Sequence, residues 1–585
     1  MNATVLPERD FDQALARWVR QRSGSDLLAL AAGAVSQAEA QGHVRCDLAA
    51  DAGFSAQEIE ALRAQAWVGK GEAFAPFVCA DAANLYSWRN WFHETRLAQA
   101  LRARAAARAL PLDARTLAAD VNELFAGMDA KSTHWQRAAV AAVPGARVFV
   151  LTGGPGTGKT TTVLRMLLAL QRQAAGTPLA IQVAAPTGKA AQRLVQSLRQ
   201  GKQALAARLD DSWGTALAAI PESDALTLHR LLGYDPRRNR FTRDAAHPLA
   251  ADVVVVDEAS MVDLAMLRAL LGAVRPQATL VLVGDADQLT SVAAGSVLMD
   301  LVTAFEADPR GDLVRLEHSF RAERQLVPIN RAVRAGDGLA LRAAMEAAGE
   351  DARWREVADA AALRRALAGW CEALAALPTR PALPPRDEAN PEARATAAVQ
   401  ALHALAQRQL LSALREDAFG ALALNGWIEQ RLKQLWGVPP DRSWYAGRAV
   451  LVTRNDYAAR LYNGDVGLCL AEPDGSLRVW FETVDERGRA SARSFAPGTL
   501  PPHEGGFAIT VHKSQGSEYD LAAVLLPPDP DHRLLSRQLL YTGLSRAKRQ
   551  VELWGTAEAV AAALDRPVQR AGGLAARLLR EDGCG

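Results

Sequence analysis

The sequence predicts an α/β protein with two covered parallel-sheet blocks, and three observations carry that prediction. Short continuous apolar runs alternate with amphipathic segments twice along the chain, over about 130–345 and again over about 401–580. At 585 residues the chain is too long for one core, so several domains are required. A proline-dense stretch within 377–392 (Pro378, Pro381, Pro384, Pro385 and Pro391) separates the two blocks.

Taken in order, residues 1–115 are rich in Ala, Leu and Arg at helical spacing and predict a helical N-terminal domain with no catalytic pattern. From about 130 the texture changes. Arg147-Val-Phe-Val-Leu-Thr, Leu179-Ala-Ile-Gln-Val-Ala-Ala, Asp252-Val-Val-Val-Val-Asp and Ala278-Thr-Leu-Val-Leu-Val-Gly read as buried parallel strands. Turn formers and arginines near 233–250 interrupt this block as a small β-hairpin excursion. Residues 346–400 read as a helical and proline-rich connection. The second block has expected strands near 409–413, 448–453, 506–511 and 550–554, and alternation between 463 and 505 predicts a small antiparallel insert.

Composition excludes several classes. Hydrophobic residues make up 49% and charged residues 23%, and no run of about 18 uncharged apolar residues is present, so a membrane-spanning helix is not expected. The first residues lack an apolar signal core, and a cytoplasmic location follows as the default. Five scattered cysteines without a C-x-x-C pair argue against structural zinc, an iron–sulfur cluster or a disulfide framework. A net charge of +2 means that nucleic-acid binding would need a local groove rather than a global field. Only eight of the 67 basic residues are lysine, yet Lys159, Lys189, Lys513 and Lys548 all fall inside motifs, where a compact ammonium does what guanidinium cannot.

The strongest motif is Gly153-Gly-Pro-Gly-Thr-Gly-Lys-Thr160, between an expected strand and an expected helix. Its backbone N–H groups are suited to curl round a β-phosphate at a helix N-terminus, so Gly153, Gly154, Pro155, Gly156, Thr157, Gly158, Lys159, Thr160 and Thr161 form the expected ATP cradle. Lys159 is expected to pair with the β- and γ-phosphates, and Thr160 to hold Mg²⁺ with Asp257. Asp257-Glu258 ends the four-valine run, where a strand's C-terminal edge meets the phosphates; Glu258 is the expected general base for the attacking water. Gly284-Asp-Ala-Asp-Gln follows another apolar strand and makes Gln288 a candidate γ-phosphate sensor.

With further segments these motifs resemble one family. The segments are Ala185-Pro-Thr-Gly-Lys-Ala-Ala, Thr227-Leu-His-Arg-Leu-Leu-Gly, Ser319-Phe-Arg, Asn463-Gly-Asp-Val-Gly, Thr510-Val-His-Lys-Ser-Gln-Gly-Ser-Glu and Tyr541-Thr-Gly-Leu-Ser-Arg-Ala-Lys. Their order over roughly 130–555 is similar to that of superfamily-one B-type helicases, and among them to RecD, the alpha subunits of exodeoxyribonuclease V. The resemblance implies two RecA-like P-loop motor domains, a small SH3-like barrel at the 463–505 insert, and a duplex-splitting wedge at the hairpin near Arg237–Phe241. It implies adenine recognition by Gln136, γ-phosphate contacts from Arg321 and Arg546, and a ribose contact from Glu518. Thr187, Lys189, His229, His512 and Ser514 fall where such helicases touch single-stranded DNA. It further implies ATP and Mg²⁺ as cofactors, 5′-to-3′ travel, duplex DNA ends as substrate, and the beta and gamma subunits of exodeoxyribonuclease V as partners in double-strand-break repair.

Three rival readings stand beside this one. Intact Glu258, Gln288, Arg321 and Arg546 weigh against a P-loop assembly module with a structural nucleotide. About 150 residues before the P-loop, without a helix-hairpin-helix pattern, weigh against the stand-alone RecD-like helicase. An RNA helicase or conjugative motor should add an RNA-binding or relaxase segment, and none is legible. The absence of a clustered carboxylate–lysine signature places any nuclease activity in a partner.

Overall fold

The computed structural model describes residues 9–579 apart from 82, 108–112, 175–176, 223–225, 292, 309–311, 321–324, 386–391, 486–488 and 569. An N-terminal module comes first. Helices Asp10–Ser23 and Asp26–Ala40 pack on each other, and Ala56–Arg63 starts with a reciprocal capping box between Ser55 and Glu58. Four short strands, Cys46–Asp47, Val68–Gly69, Phe77–Val78 and Asn84–Ser87, join them in one sheet around a core of Val19, Leu28, Phe54, Leu62 and Leu85. The expected helices are therefore joined by a small sheet that the sequence reading did not include. These strands are two to four residues long, too short to show a period.

The expected boundary at 115 is also not a packing boundary. Helix Trp88–Ala106 buries Leu97, Ala98, Leu101 and Ala105 against Leu267, Leu271 and Val274 of the first α/β lobe. Each fully buried leucine is worth roughly 2 kcal/mol. Arg104 on the same helix, itself buried, donates to the carbonyls of Val274 and Ala278, the latter at 3.2 Å. Helix Ala114–Leu124 covers the P-loop helix through Leu117, Val121 and Leu124. Both helices belong to the first lobe.

That lobe holds a six-stranded all-parallel sheet in the spatial order Leu313–Leu316, Val148–Gly153, Thr279–Gly284, Val253–Val256, Ile181–Ala185, Leu226–Thr227. Its continuous apolar strands are buried on both faces. Val148, Val150, Val254, Val256, Leu280 and Leu282 pack to one side, and Phe149, Leu151, Val253, Val255, Val281 and Val283 to the other. The hairpin is present as Tyr234–Asp235 paired with Arg240–Phe241, turning through Asn239 at φ 47°.

The second lobe starts earlier than expected. Helix Leu326–Ala335 is already in its core, and Ala352–Arg355 pairs in parallel with Ala547–Trp554 at the edge of a second all-parallel sheet. Residues 346–400 are thus not a mere connection. The sheet continues through Tyr519–Leu525, Arg408–Ser412 and Ala508–Thr510. Trp370 of helix Ala360–Ala375 stands edge-on to Trp554, with ring centroids 5.7 Å apart. Pro378, Pro381, Pro384 and Pro385 lie outside helix and strand; Pro391 lies outside the described residues.

The antiparallel insert takes one strand more than expected. Ala449–Val452, read from sequence as part of the parallel block, instead pairs antiparallel with Val466–Ala471 and His503–Gly505. Leu477–Val484 and Ala490–Phe495 complete this five-stranded sheet. The chain end is a second correction to the expected limit of 580. Helix Leu574–Leu579 leaves the second lobe and packs on helices Trp88–Ala106 and Val297–Glu306. There Gly573 N–H donates to Glu94 at 2.7 Å and Arg577 Nε to the same carboxylate at 2.8 Å. No helix among the described residues is long and apolar enough to cross a membrane.

Candidate nucleotide site and strand contacts

The P-loop follows strand Val148–Gly153, which is flanked in the sheet by two strands that come later in the chain. At such a place the strand's carboxyl end opens into a crevice. Gly156 and Gly158 have φ of 74° and 80°, which an L side chain rarely adopts. A Cβ on Gly153 would meet the Leu316 carbonyl and Thr157 Oγ1 at 2.9 Å, so the loop is wound as tightly as its sequence implies. Lys159, the first residue of helix Lys159–Gln173, folds its ammonium onto the carbonyls of Gly153 (2.7 Å) and Gly154 (3.1 Å).

A cavity of about 630 Å³ lies over this loop, between the lobes. Pro155 to Thr161, Asp257, Glu258 and Gln288 line it from the first lobe, and Gly516, Glu518 and Arg546 from the second. Most of the nucleotide residues named from sequence are thereby brought together. Gly153 and Gly154 form the floor behind them. Arg321 lies outside the described residues.

Asp257 and Glu258 leave strand Val253–Val256 at its C-terminal edge. Burial, reinforced by the adjacent Glu258 charge and opposed by Lys159, pushes the Asp257 carboxyl up to about 7. Asp257 accepts the Glu258 N–H at 2.9 Å. Glu258 itself sits at φ 52°, ψ 40°, a left-handed conformation that costs a non-glycine residue roughly 1–2 kcal/mol. Strain of this kind collects at functional positions.

Arg546 is buried and anchored by its own lobe, donating to Thr542 O (3.1 Å), Ser517 O (3.4 Å) and Ser545 Oγ (3.2 Å), bonds that do not use every N–H of the guanidinium. No carboxylate among the described residues pairs with it. A buried guanidinium held by neutral acceptors and facing a cavity is prepared for an anion. Gln288 is also buried; its Nε2 donates to Asp285 at 2.9 Å while Oε1 has no partner among the described residues. Gln136 behaves alike: Nε2 bonds the Thr157 carbonyl at 3.0 Å, and Oε1 is buried and unpartnered. In this state its amide braces the P-loop.

These observations test the fit of nucleotide and metal. A cradle that a Cβ would fill, an ammonium at the phosphate position, and a buried cation opposite suit a nucleoside triphosphate. Thr160 with the buried Asp257 carboxyl suits Mg²⁺, which takes few protein ligands and completes its shell from phosphate and water. The metal would supply charge neutralisation of the phosphate oxygens.

Sequence reasoning missed the residues that seat one lobe on the other. Tyr541 OH donates to Asp285 at 3.0 Å and stands 3.2 Å from where a Cβ on Gly154 would be. Leu289 N–H donates to Thr542 Oγ1 at 2.8 Å, Gln515 Nε2 to Leu289 O at 2.9 Å, and Arg193 to the Gly516 carbonyl. Tyr541 and Gln515 stand inside quoted motifs, which was the available signal.

The expected strand contacts fare unevenly. Thr187 caps helix Gly188–Ala206 through the Ala190 N–H. His229 is exposed and forms an aromatic group with Tyr234 (5.4 Å) and Phe241 (5.9 Å) at the root of the hairpin. The His512 imidazole is held below its ordinary value by burial and Arg570. Ser514 is corrected: it is fully buried and its hydroxyl donates to Val511 O at 2.7 Å, leaving nothing for a phosphate. Lys189 lines a cavity between the lobes with Asp465 and Glu482. Of the other motif lysines, Lys513 pairs with Glu504 of the insert and Lys548 is exposed on its strand.

An AAA domain profile matches residues 136–294, and a UvrD-like helicase C-terminal domain profile matches 505–553. The chain is 42% identical over 441 residues to "RecBCD enzyme subunit RecD" of Mycobacterium tuberculosis, covering 75% of this chain and 72% of that one. It is 40% identical over 502 residues to the protein of the same name from Mycolicibacterium smegmatis, covering 84% and 82%. Among solved structures, Bacteroides Pif1 bound to single-stranded DNA is similar at 16% identity and a TM-score of 0.36, covering 72% and 91%.

Proposed function

The chain belongs to the RecD family of DNA helicases, and from that premise we propose that it is the 5′-to-3′ translocating alpha subunit of a helicase–nuclease that acts at duplex DNA ends in double-strand-break repair. The observation that carries the motor reading is Arg546, a buried cation from one lobe facing the P-loop of the other across a single cavity. Closure of that cavity lets Arg546 stabilise charge developing on the γ-phosphoryl group, and loss of that group weakens closure. In this reading Glu258 takes the proton of the attacking water, Gln288 reports the γ-phosphate, and Glu518 holds the ribose. Thr160 and Asp257 would hold Mg²⁺, and Gln136 reads adenine once its brace opens. Thr187, His229 and His512 contact the strand. The hairpin, with exposed Arg237, Arg238 and Arg240 beside the His229–Tyr234–Phe241 group, offers stacking faces and phosphate contacts where strands part.

The test is unwinding of duplexes carrying a single-stranded tail at one end. A 5′-tailed duplex is expected to be opened, and a 3′-tailed one is not; the opposite preference rejects the direction. Turnover of ATP that single-stranded DNA does not raise rejects the motor. Binding to single strands is expected to depend weakly on sequence. A site contacting a handful of phosphates should lose affinity by orders of magnitude between 50 and 200 mM salt. Salt-insensitive binding contradicts phosphate contacts.

Assembly is proposed through the N-terminal module. Phe11, Trp18 and Phe74 are 65%, 50% and 74% exposed, and Trp18 and Phe74 lie against Trp67 (5.9 Å) and Trp88 (5.4 Å). Exposed aromatics of this kind anchor interfaces. The relatives' name, a subunit of the RecBCD enzyme, supports the beta and gamma subunits as partners. Substituting Phe11→Glu, Trp18→Glu and Phe74→Glu together is expected to abolish copurification with those subunits while ATP binding persists. Retained assembly moves the interface elsewhere.

A further inference from the structure

Helix Gly188–Ala206 presents three consecutive points to the second lobe. At its first residue, a Cβ on Gly188 would lie 2.5 Å from the Tyr462 ring, so that ring rests directly on glycine backbone. Five residues on, Arg193 donates to the Gly516 carbonyl, and it lines both the nucleotide cavity and its neighbour. Between them stands Lys189, in an interlobe cavity of about 260 Å³ whose wall includes Asp465. Asp465 is fixed two ways: it accepts the Tyr462 N–H at 2.7 Å, and its backbone N–H donates to Tyr462 O at 3.0 Å. Residues four apart share a helix face, so Lys189 and Arg193 point into one seam.

We propose that Lys189 and Asp465 are a positioning pair that seats the second lobe on the helix Gly188–Ala206, and so sets where Glu518 and Arg546 stand over the P-loop. The electrostatics agree. Burial and Arg193 push the Lys189 amine down to about 8, against the pull of Asp465 and Glu482. Burial raises the Asp465 carboxyl, against Lys189 and Arg493. Asp465 and Glu482 draw on Lys189 across this cavity, and Lys189 and Arg493 draw on Asp465, in a partly dry space where leaving one charge alone is costly. The helix then continues to the nucleotide cavity through Ala190, Arg193, Leu194 and Ser197. A shift at the seam moves that wall.

This inference rests on the motor reading above, so its test uses nucleotide binding without DNA as well as turnover with it. Lys189→Gln, Asp465→Asn and the double variant are compared in affinity for a non-hydrolysable ATP analogue, in ssDNA-stimulated kcat, and in ssDNA affinity against salt. Either single variant is expected to weaken analogue binding and lower kcat by up to about 100-fold, the scale of a small misplacement. The double variant should be no worse than the poorer single one, and the swapped pair Lys189→Asp with Asp465→Lys should recover much of the loss. Nucleotide-free ssDNA affinity and its salt slope should stay unchanged. A salt slope lowered by about one in Lys189→Gln makes Lys189 a phosphate contact and overturns the proposal. Losses that multiply in the double variant, or single variants within about twofold of the unmodified protein, overturn it as well. If the unmodified protein shows no DNA-stimulated turnover, the motor reading fails while analogue binding still decides the seam.

Discussion

Replacing Lys159 with alanine is expected to lower DNA-stimulated ATP turnover by about 10²–10³-fold, roughly 3–4 kcal/mol of lost charge stabilisation. The expectation follows from where the ammonium sits. It is a first-lobe cation in the cavity lining, held within the P-loop by the Gly153 and Gly154 carbonyls, from which it needs only to turn toward a phosphate. Removing it leaves those carbonyls at a site they share with solvent, so stability should change little. The measurement is steady-state turnover with single-stranded DNA, alongside thermal unfolding without nucleotide. A folded Lys159→Ala protein with near-normal turnover would sink the assignment of this cavity as the ATPase site.

The second large effect is expected for Glu258→Gln. The amide keeps size and hydrogen-bond reach but cannot accept a proton, and losing a general base costs about 10²–10⁴ in rate. Binding of a non-hydrolysable ATP analogue should be retained, and the protein should dissociate slowly from single strands while ATP remains uncleaved. The backbone supplies an internal control. With Glu258 at φ 52°, Glu258→Gly removes side-chain strain of roughly 1 kcal/mol. That variant should lose turnover as fully as Glu258→Gln without becoming easier to unfold. Normal hydrolysis by Glu258→Gln assigns the base elsewhere.

What was legible from sequence was what local pattern encodes. The P-loop, Asp257-Glu258 and the four apolar strands were readable because glycine geometry and two-sided burial leave marks within a few consecutive residues. Ala449–Val452 was misplaced for the same reason. Four buried apolar residues look alike in a parallel sheet and in the core of an antiparallel one, and only the partners differ. The helix Trp88–Ala106 was read correctly as a helix, but no residue in it announces that its apolar stripe is buried by Leu267 and Leu271, far along the chain. Tyr541 and Asp285 are a pair made by the meeting of two lobes, and Lys189 and Asp465 line one cavity between them, neither of which sequence spacing displays. Ser514 shows the reverse hazard. A hydroxyl in the right motif was taken for a ligand when its own backbone had claimed it.

The returning chain end has a mechanical meaning. Polypeptide passes from the first lobe to the second between Leu316 and Leu326, and passes back between Val568, bonded to Gln538, and Arg570, bonded to Ala293 and Gly295. A body joined to another at one point can swivel in any direction. Joined at two, it is left with rotation about the line through both, like a lid on a pair of pins. Any movement of one lobe against the other has to satisfy both crossings at once, a demand that a single crossing would not make.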